Sequence, residues 1–149
     1  MRAKLHWAEM NSQQKKRAAS EVAGIDSLHL VVVGAPVPPR RQERARAQCL
    51  KKLADELREL QVGELVLERR TDKLDYRDRQ TLGGLRMSLP KGTAFPEYSH
   101  RPGTDVPQLW IADIIAGAVR MHRQGDSQYR DVLAERVYEI NVATGCGDA

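Results

Sequence analysis

The stretch Pro107 to Arg123, PQLWIADIIAGAVRMHR, constrains this chain more than any other. At helical spacing, Leu109, Trp110, Ile111, Ile114, Ile115, Ala118, Val119 and Met121 leave no broad polar face. The segment therefore predicts one helix that is largely buried. Pro107 suits a first helical turn, and Thr104 or Asp105 can cap it. Asp113 sits in the middle. With about 3.6 residues per turn, Leu109, Trp110, Ala116, Gly117 and Arg120 share its side. Two of these are small, which leaves room beside the carboxylate. An unpaired buried carboxylate is costly. Its partner is Arg120, another chain segment or a metal ion, and the helix alone leaves all three open.

A chain of 149 residues with 41% hydrophobic and 30% charged residues fits a single soluble globular domain. The sequence places that domain at residues 1–142 and a flexible tail at 143–149. No run approaches the roughly 18 apolar residues of a membrane span. The segment MRAKLHWAEMNSQQKK lacks the apolar core of a signal peptide. No membrane partner is expected. Cys49 and Cys146 form no metal-ligand spacing, so a reduced, cytoplasmic protein is the default. The net charge is +4 and the pI about 9.3. The positive charge is mostly arginine, which suits bidentate phosphate contacts and permits a nucleic-acid partner. A generally arginine-rich composition explains it equally well.

In chain order, the segment to Met10 reads as extended or loop, with His6 packed beside Trp7 or lying on the surface. Asn11 or Ser12 can cap a helix to Ala23, with Ala18, Ala19 and Val22 inward and Gly24 as its stop. Ser27 to Val33, SLHLVVV, is a continuous β-branched run, as in a strand covered on both faces. Arg40 to Leu60 is amphipathic, with Leu50, Leu53, Leu57, Leu60, Ala47 and Ala54 on one stripe. Its first turns carry Arg40, Arg41, Arg44 and Arg46, where the helix dipole disfavours cations. A phosphate partner would relieve that, as would Glu43 and solvent. Glu64 to Glu68 is a second short strand, so strand, helix and strand predict a parallel βαβ unit.

Glu68 closes that strand, where open α/β sheets place their ligands, and a salt bridge to Arg69 or Arg70 is the plainer reading. Asp72 to Met87 begins polar and becomes a short helix with Leu82 and Leu85 inward, weakened by Gly83 and Gly84. Asp75 and Asp78 read as helix-start acids near the same strand end. Ala94 to His100 can form an edge strand, because Pro96 would spoil a central one. His100 reads as a loop histidine that can reach a site. Past Arg123, Gly125-Asp126 turns the chain, Ser127 caps a helix to Ala134, and Val137 to Val142 packs as a final strand.

This order of elements, ending in a helix that bears Asp113, is similar to the ribonuclease-H-like fold. More specifically, the sequence resembles a bacterial ribonuclease-H-like family, the domain of unknown function 3800. Gln108 to Ala118, QLWIADIIAGA, resembles that family's C-terminal acid-bearing helix. Leu67-Glu68-Arg69-Arg70 resembles its acid-bearing strand end, and Lys4-Leu5-His6-Trp7 a histidine segment that opens its middle region. The resemblance implies an α/β fold, a mixed sheet flanked by helices. Its first, acid-bearing strand has no counterpart here.

The resemblance further implies a metal-dependent nuclease or other phosphodiester-processing protein. Glu68 and Asp113 would be its catalytic metal ligands with Asp78 or Asp75 in support, and the ion would be Mg2+ or Mn2+. Without the first strand, the chain is expected to be weakly active and to self-associate through an uncovered strand edge. The alternatives are a nucleic-acid-binding module using Arg40, Arg41, Arg44, Arg69 and Arg70, or a structural domain in which Asp113 is paired in the core.

Overall fold

A computed structural model describes residues 5–146 of the chain. Lys4 of the predicted histidine segment and residues 147–149 of the predicted tail lie outside the described residues. The chain divides into two compact units, residues 1–31 with 102–139, and residues 32–101 with 140–149.

The first unit is helical. Helix α1, Ser12–Ala23, begins at Asn11, whose side chain accepts from the Gln14 N–H while the Gln14 side chain reaches back to the Asn11 N–H. That reciprocal box satisfies two donors that a helix start otherwise leaves unpaired. Ala18, Ala19 and Val22 are buried, as their spacing predicts. Helix α4, Pro107–Arg123, has the bounds read from sequence. Its N-cap is Val106, and neither Thr104 nor Asp105 caps it; the Thr104 hydroxyl turns to the Asp105 carboxylate instead. Ile114, Ile115, Ala118 and Val119 are buried, while Leu109, Trp110, Ile111 and Met121 are only half-buried. Each fully buried Ile or Val contributes about 1.5–3 kcal/mol at most.

Helix α5, Gln128–Leu133, packs on both α1 and α4. Ser127 precedes it but makes no capping bond; its hydroxyl pairs with His122 Nδ1 at 2.6 Å, and Asp126 accepts from the Gln128 N–H. A 3-10 turn at Trp7–Glu9 lies against α4. It presses Trp7 onto Gly117 and edge-on to Tyr129, with ring centroids 5.1 Å apart.

In the second unit, a 3-10 turn at Pro39–Arg41 leads into α2, Gln42–Glu59. Leu60, predicted inside its apolar stripe, lies just past the end of the helix as its C-cap and is exposed. Strand β2, Glu64–Glu68, is followed by α3, Asp72–Ser88, which starts at a Thr71 cap and runs unbroken through Gly83 and Gly84. Strand β3, Glu97–Arg101, pairs parallel with β2, from Glu64 opposite Glu97 to Glu68 opposite Arg101. Pro96 sits just before β3, where it removes no ladder bond. Leu50, Ala54, Leu67 and Leu82 form the core between α2, α3 and the sheet, with Leu65, Leu85, Phe95 and Tyr98 packed around it.

The pairing differs from the sequence-based expectation. Strand β1, His29–Ala35, pairs with β4, Val137–Ala143, and the parallel βαβ unit is β2–α3–β3 rather than β1–α2–β2. The architecture is α/β, but the described strands form two two-stranded sheets in place of one mixed sheet. An apolar β-branched run announces a strand without naming its neighbour. Gly34 continues β1 where the sequence expects its end. A Cβ there would meet Cys49 Sγ at 2.6 Å and Thr144 Cγ2 at 2.9 Å. Beyond the expected boundary at Val142, Thr144 and Cys146 are buried, and the Thr144 N–H and hydroxyl bond to the carbonyls of Ala35 and Pro36. Partners distant in sequence thus order a segment whose composition reads as a tail. No described helix is long and apolar enough to cross a membrane.

Candidate metal centre

Three side chains converge in the second unit at the C-terminal ends of β2 and β3. Asp75 and Asp78 lie three positions apart on α3, hence on one face. Parallel pairing sets His100 opposite Leu67, and the period of two places it on the same face of β3 as Tyr98. Tyr98 packs on the core, so His100 points the same way, under α3. All three side chains are about 95% buried. Their nearest ligand atoms lie within 4.8 Å of one another, so the group can hold a metal ion.

The carboxylates are already engaged. Arg46, from α2, grips Asp78 in a fork, with Nε on Oδ1 and an NH2 nitrogen on Oδ2, each at 3.0 Å. Arg70 reaches Asp78 Oδ1 at 3.0 Å, Glu43 Oε2 at 2.9 Å and the Leu74 carbonyl at 3.3 Å. His100 Nε2 is 3.1 Å from Asp78 Oδ2 and 3.7 Å from Asp75 Oδ1. Asp75 Oδ1 accepts the Arg70 main-chain N–H at 2.9 Å. Burial pushes the Asp78 carboxyl upward. Hydrogen bonds from Arg46 and His100, with the charges of Arg46 and Arg70, outweigh burial and hold it below the usual carboxylate range. Burial likewise pulls the Arg70 guanidinium down, and Glu43 and Asp78 more than restore it.

The donor set suits a divalent cation. Two carboxylates and one imidazole supply oxygen and nitrogen donors of the kinds that bind metal ions. The network is also incompletely satisfied. His100 Nδ1 and Arg70 Nε are buried without a hydrogen-bond partner among the described residues.

Asp78, expected as a supporting ligand, belongs to this group. Asp75 and His100 carry more of it than the sequence indicated. The spacing of Asp75 and Asp78 was readable as one helix face, but nothing local marks His100 as buried, Arg46 as a partner of Asp78 or Glu43 as a partner of Arg70. Glu68 ends β2 in the second unit and Asp113 lies on α4 in the first. Asp113 Oδ2 accepts the Trp7 main-chain N–H at 2.8 Å and has His6 Nδ1 at 3.6 Å. Its partner is thus a chain segment, one of the three choices left open by the helix. Among the arginines expected at phosphate, Arg70 has both terminal nitrogens engaged inside the chain, and Arg69 pairs with Asp72 at 3.2 Å. Arg40, Arg41 and Arg44 are exposed around the start of α2.

No protein-family model, curated protein or solved structure matches the chain.

Proposed function

We propose that the chain is a divalent-cation-dependent phosphodiester-processing protein of the ribonuclease-H-like class. The observation that carries this reading is the buried group of Asp75, Asp78 and His100 beyond the C-terminal ends of parallel strands, the usual ligand position of an open α/β sheet. Asp75 and Asp78 would hold the cation, with His100 Nε2 as the nitrogen donor. Glu68, at the end of β2, is the nearest strand-end acid in sequence to this group. When bound, Mn2+ or Mg2+ polarises a phosphoryl oxygen and lowers the pKa of a water ligand. Arg70, anchored by Glu43 and the Leu74 carbonyl, holds Asp78 in place. Arg40, Arg41 and Arg44 offer exposed guanidiniums to the phosphates of a nucleic-acid partner.

A second reading is favoured by one observation: guanidiniums already fill both oxygens of Asp78. The cluster is then a structural ion-pair hub. Titration calorimetry with Mn2+ and Mg2+, paired with cleavage of labelled single- and double-stranded oligonucleotides, separates the two. The metal reading expects saturable binding and Mn2+-dependent cleavage, both lost in Asp75→Asn. If the wild-type chain and variants freed of Arg46 alike take up no cation, the hub reading stands.

A further inference from the structure

The fork from Arg46 engages both Asp78 oxygens, the atoms a cation shared by Asp75, Asp78 and His100 would draw on. Arg46 differs from its neighbour Arg70 in how it is held. Arg70 is 23% exposed and tied to Glu43 and a main-chain carbonyl as well as to Asp78. Arg46 is 37% exposed on the outer part of α2, and its described hydrogen bonds all go to Asp78. It can therefore swing into water by side-chain rotation alone, which Arg70 cannot do without breaking two further bonds.

The charges favour such an exchange. The carboxylates of Asp75, Asp78 and Glu43 set three negative charges against the two guanidiniums. Adding a divalent cation to the closed network reverses its sign in a buried place, where uncompensated charge is costly. Withdrawing Arg46 as the cation enters leaves the cluster neutral. The unpaired His100 Nδ1, on a side chain only 6% exposed, fits a network not complete in its closed form.

We propose that Arg46 is an internal counter-ion that gates this centre, so that a divalent cation loads only as the Arg46 guanidinium leaves Asp78 for solvent. The proposal rests on the metal reading above and adds its regulation. It makes Arg46 a positioning residue of the closed state and sets the cation affinity below what the bare donors would give. Any polyanion that draws Arg46 outward, such as a nucleic-acid backbone lying along Arg40, Arg41 and Arg44, would promote loading.

The test is Mn2+ titration of the full chain by calorimetry, with free Mn2+ followed by electron paramagnetic resonance. The chains compared are wild type, Arg46→Met, Arg46→Gln and the exposed control Lys51→Met. The gate predicts Mn2+ affinity at least tenfold higher in both Arg46 variants and unchanged in Lys51→Met. It also predicts that added Mn2+ restores melting stability that the Arg46 variants lose without metal. Wild type and Arg46 variants binding Mn2+ equally would overturn the gate and leave the metal centre intact. No binding by any of the four chains would overturn the metal centre itself. Should Arg46→Met not fold, Arg46→Gln, which keeps a hydrogen-bond donor toward Asp78, carries the same comparison.

Discussion

The Asp113 carboxylate accepts the main-chain N–H of Trp7 at 2.8 Å, closing a loop of 106 positions. The bond pins the 3-10 turn at Trp7–Glu9 onto α4, and the Trp110 indole adds a second tie to the Leu5 carbonyl at 3.2 Å. Asp113→Ala leaves the Trp7 N–H without its acceptor, at a cost of about 1–3 kcal/mol, nearer the low end because Asp113 is 31% exposed. Asp113→Asn keeps an acceptor oxygen and should cost less. Urea denaturation of the three chains measures this, and equal midpoints would show that the bond contributes nothing net.

Gly117 faces the Trp7 ring so closely that an added Cβ would lie 2.4–2.6 Å from three ring atoms. Tyr129 stands edge-on to the same ring, with centroids 5.1 Å apart. Gly117→Ala should destabilise the first unit by about 1–3 kcal/mol through overpacking, despite the better helix propensity of alanine. Near-ultraviolet circular dichroism should weaken as the ring loses its fixed setting. An unchanged melt would show that the turn yields freely.

Glu139 joins Arg123 and Arg130 in the first unit. Burial raises its pKa, but hydrogen bonds from both arginines, with their charges, lower it further, to a net value below 4.5. A depressed folded-state pKa means stability present above the unfolded value and lost as pH falls through the folded one. The stability advantage of wild type over Glu139→Gln should thus be constant near neutral pH and shrink below about 4.5. Urea melts of both chains across that range give the answer, and a gap that does not change with pH removes Glu139 from the acid response.

If nucleic acid lies along Arg40, Arg41 and Arg44, three phosphate contacts to a duplex give a slope of log affinity against log salt of roughly −2.7. Replacing all three with glutamine should flatten that slope while leaving the fold intact, since the three are exposed. Fluorescence anisotropy with a labelled duplex reads both. A slope that persists in the triple variant would place the contacts elsewhere.

The edges of the described two-stranded sheets bear on association. Strand β1 pairs with β4 along one side, which covers that edge of β1. Sedimentation velocity across a concentration series should show whether the remaining edge draws chains together. A chain that stays monomeric at every concentration would reject self-association through β1.

What the residues determined by themselves is local. Helix α4 was readable to both ends, because Pro107 opens it and its apolar spacing persists to Arg123. Helix α1 was readable to its end at Ala23, with its cap narrowed to Asn11 or Ser12, and the structure settles on Asn11. Both signals lie within a few positions of the bonds they predict. The tertiary structure alone decided that β2 pairs with β3, that Trp7 supplies the partner of Asp113, and that Arg46 and His100 meet at Asp78. Strand pairing depends on ladder donors and acceptors that every residue but proline carries, so side-chain pattern cannot choose among partners. A buried charge likewise takes whichever counter-charge folding brings within about 3 Å, and His100 lies 22 positions from Asp78 and Arg46 lies 32.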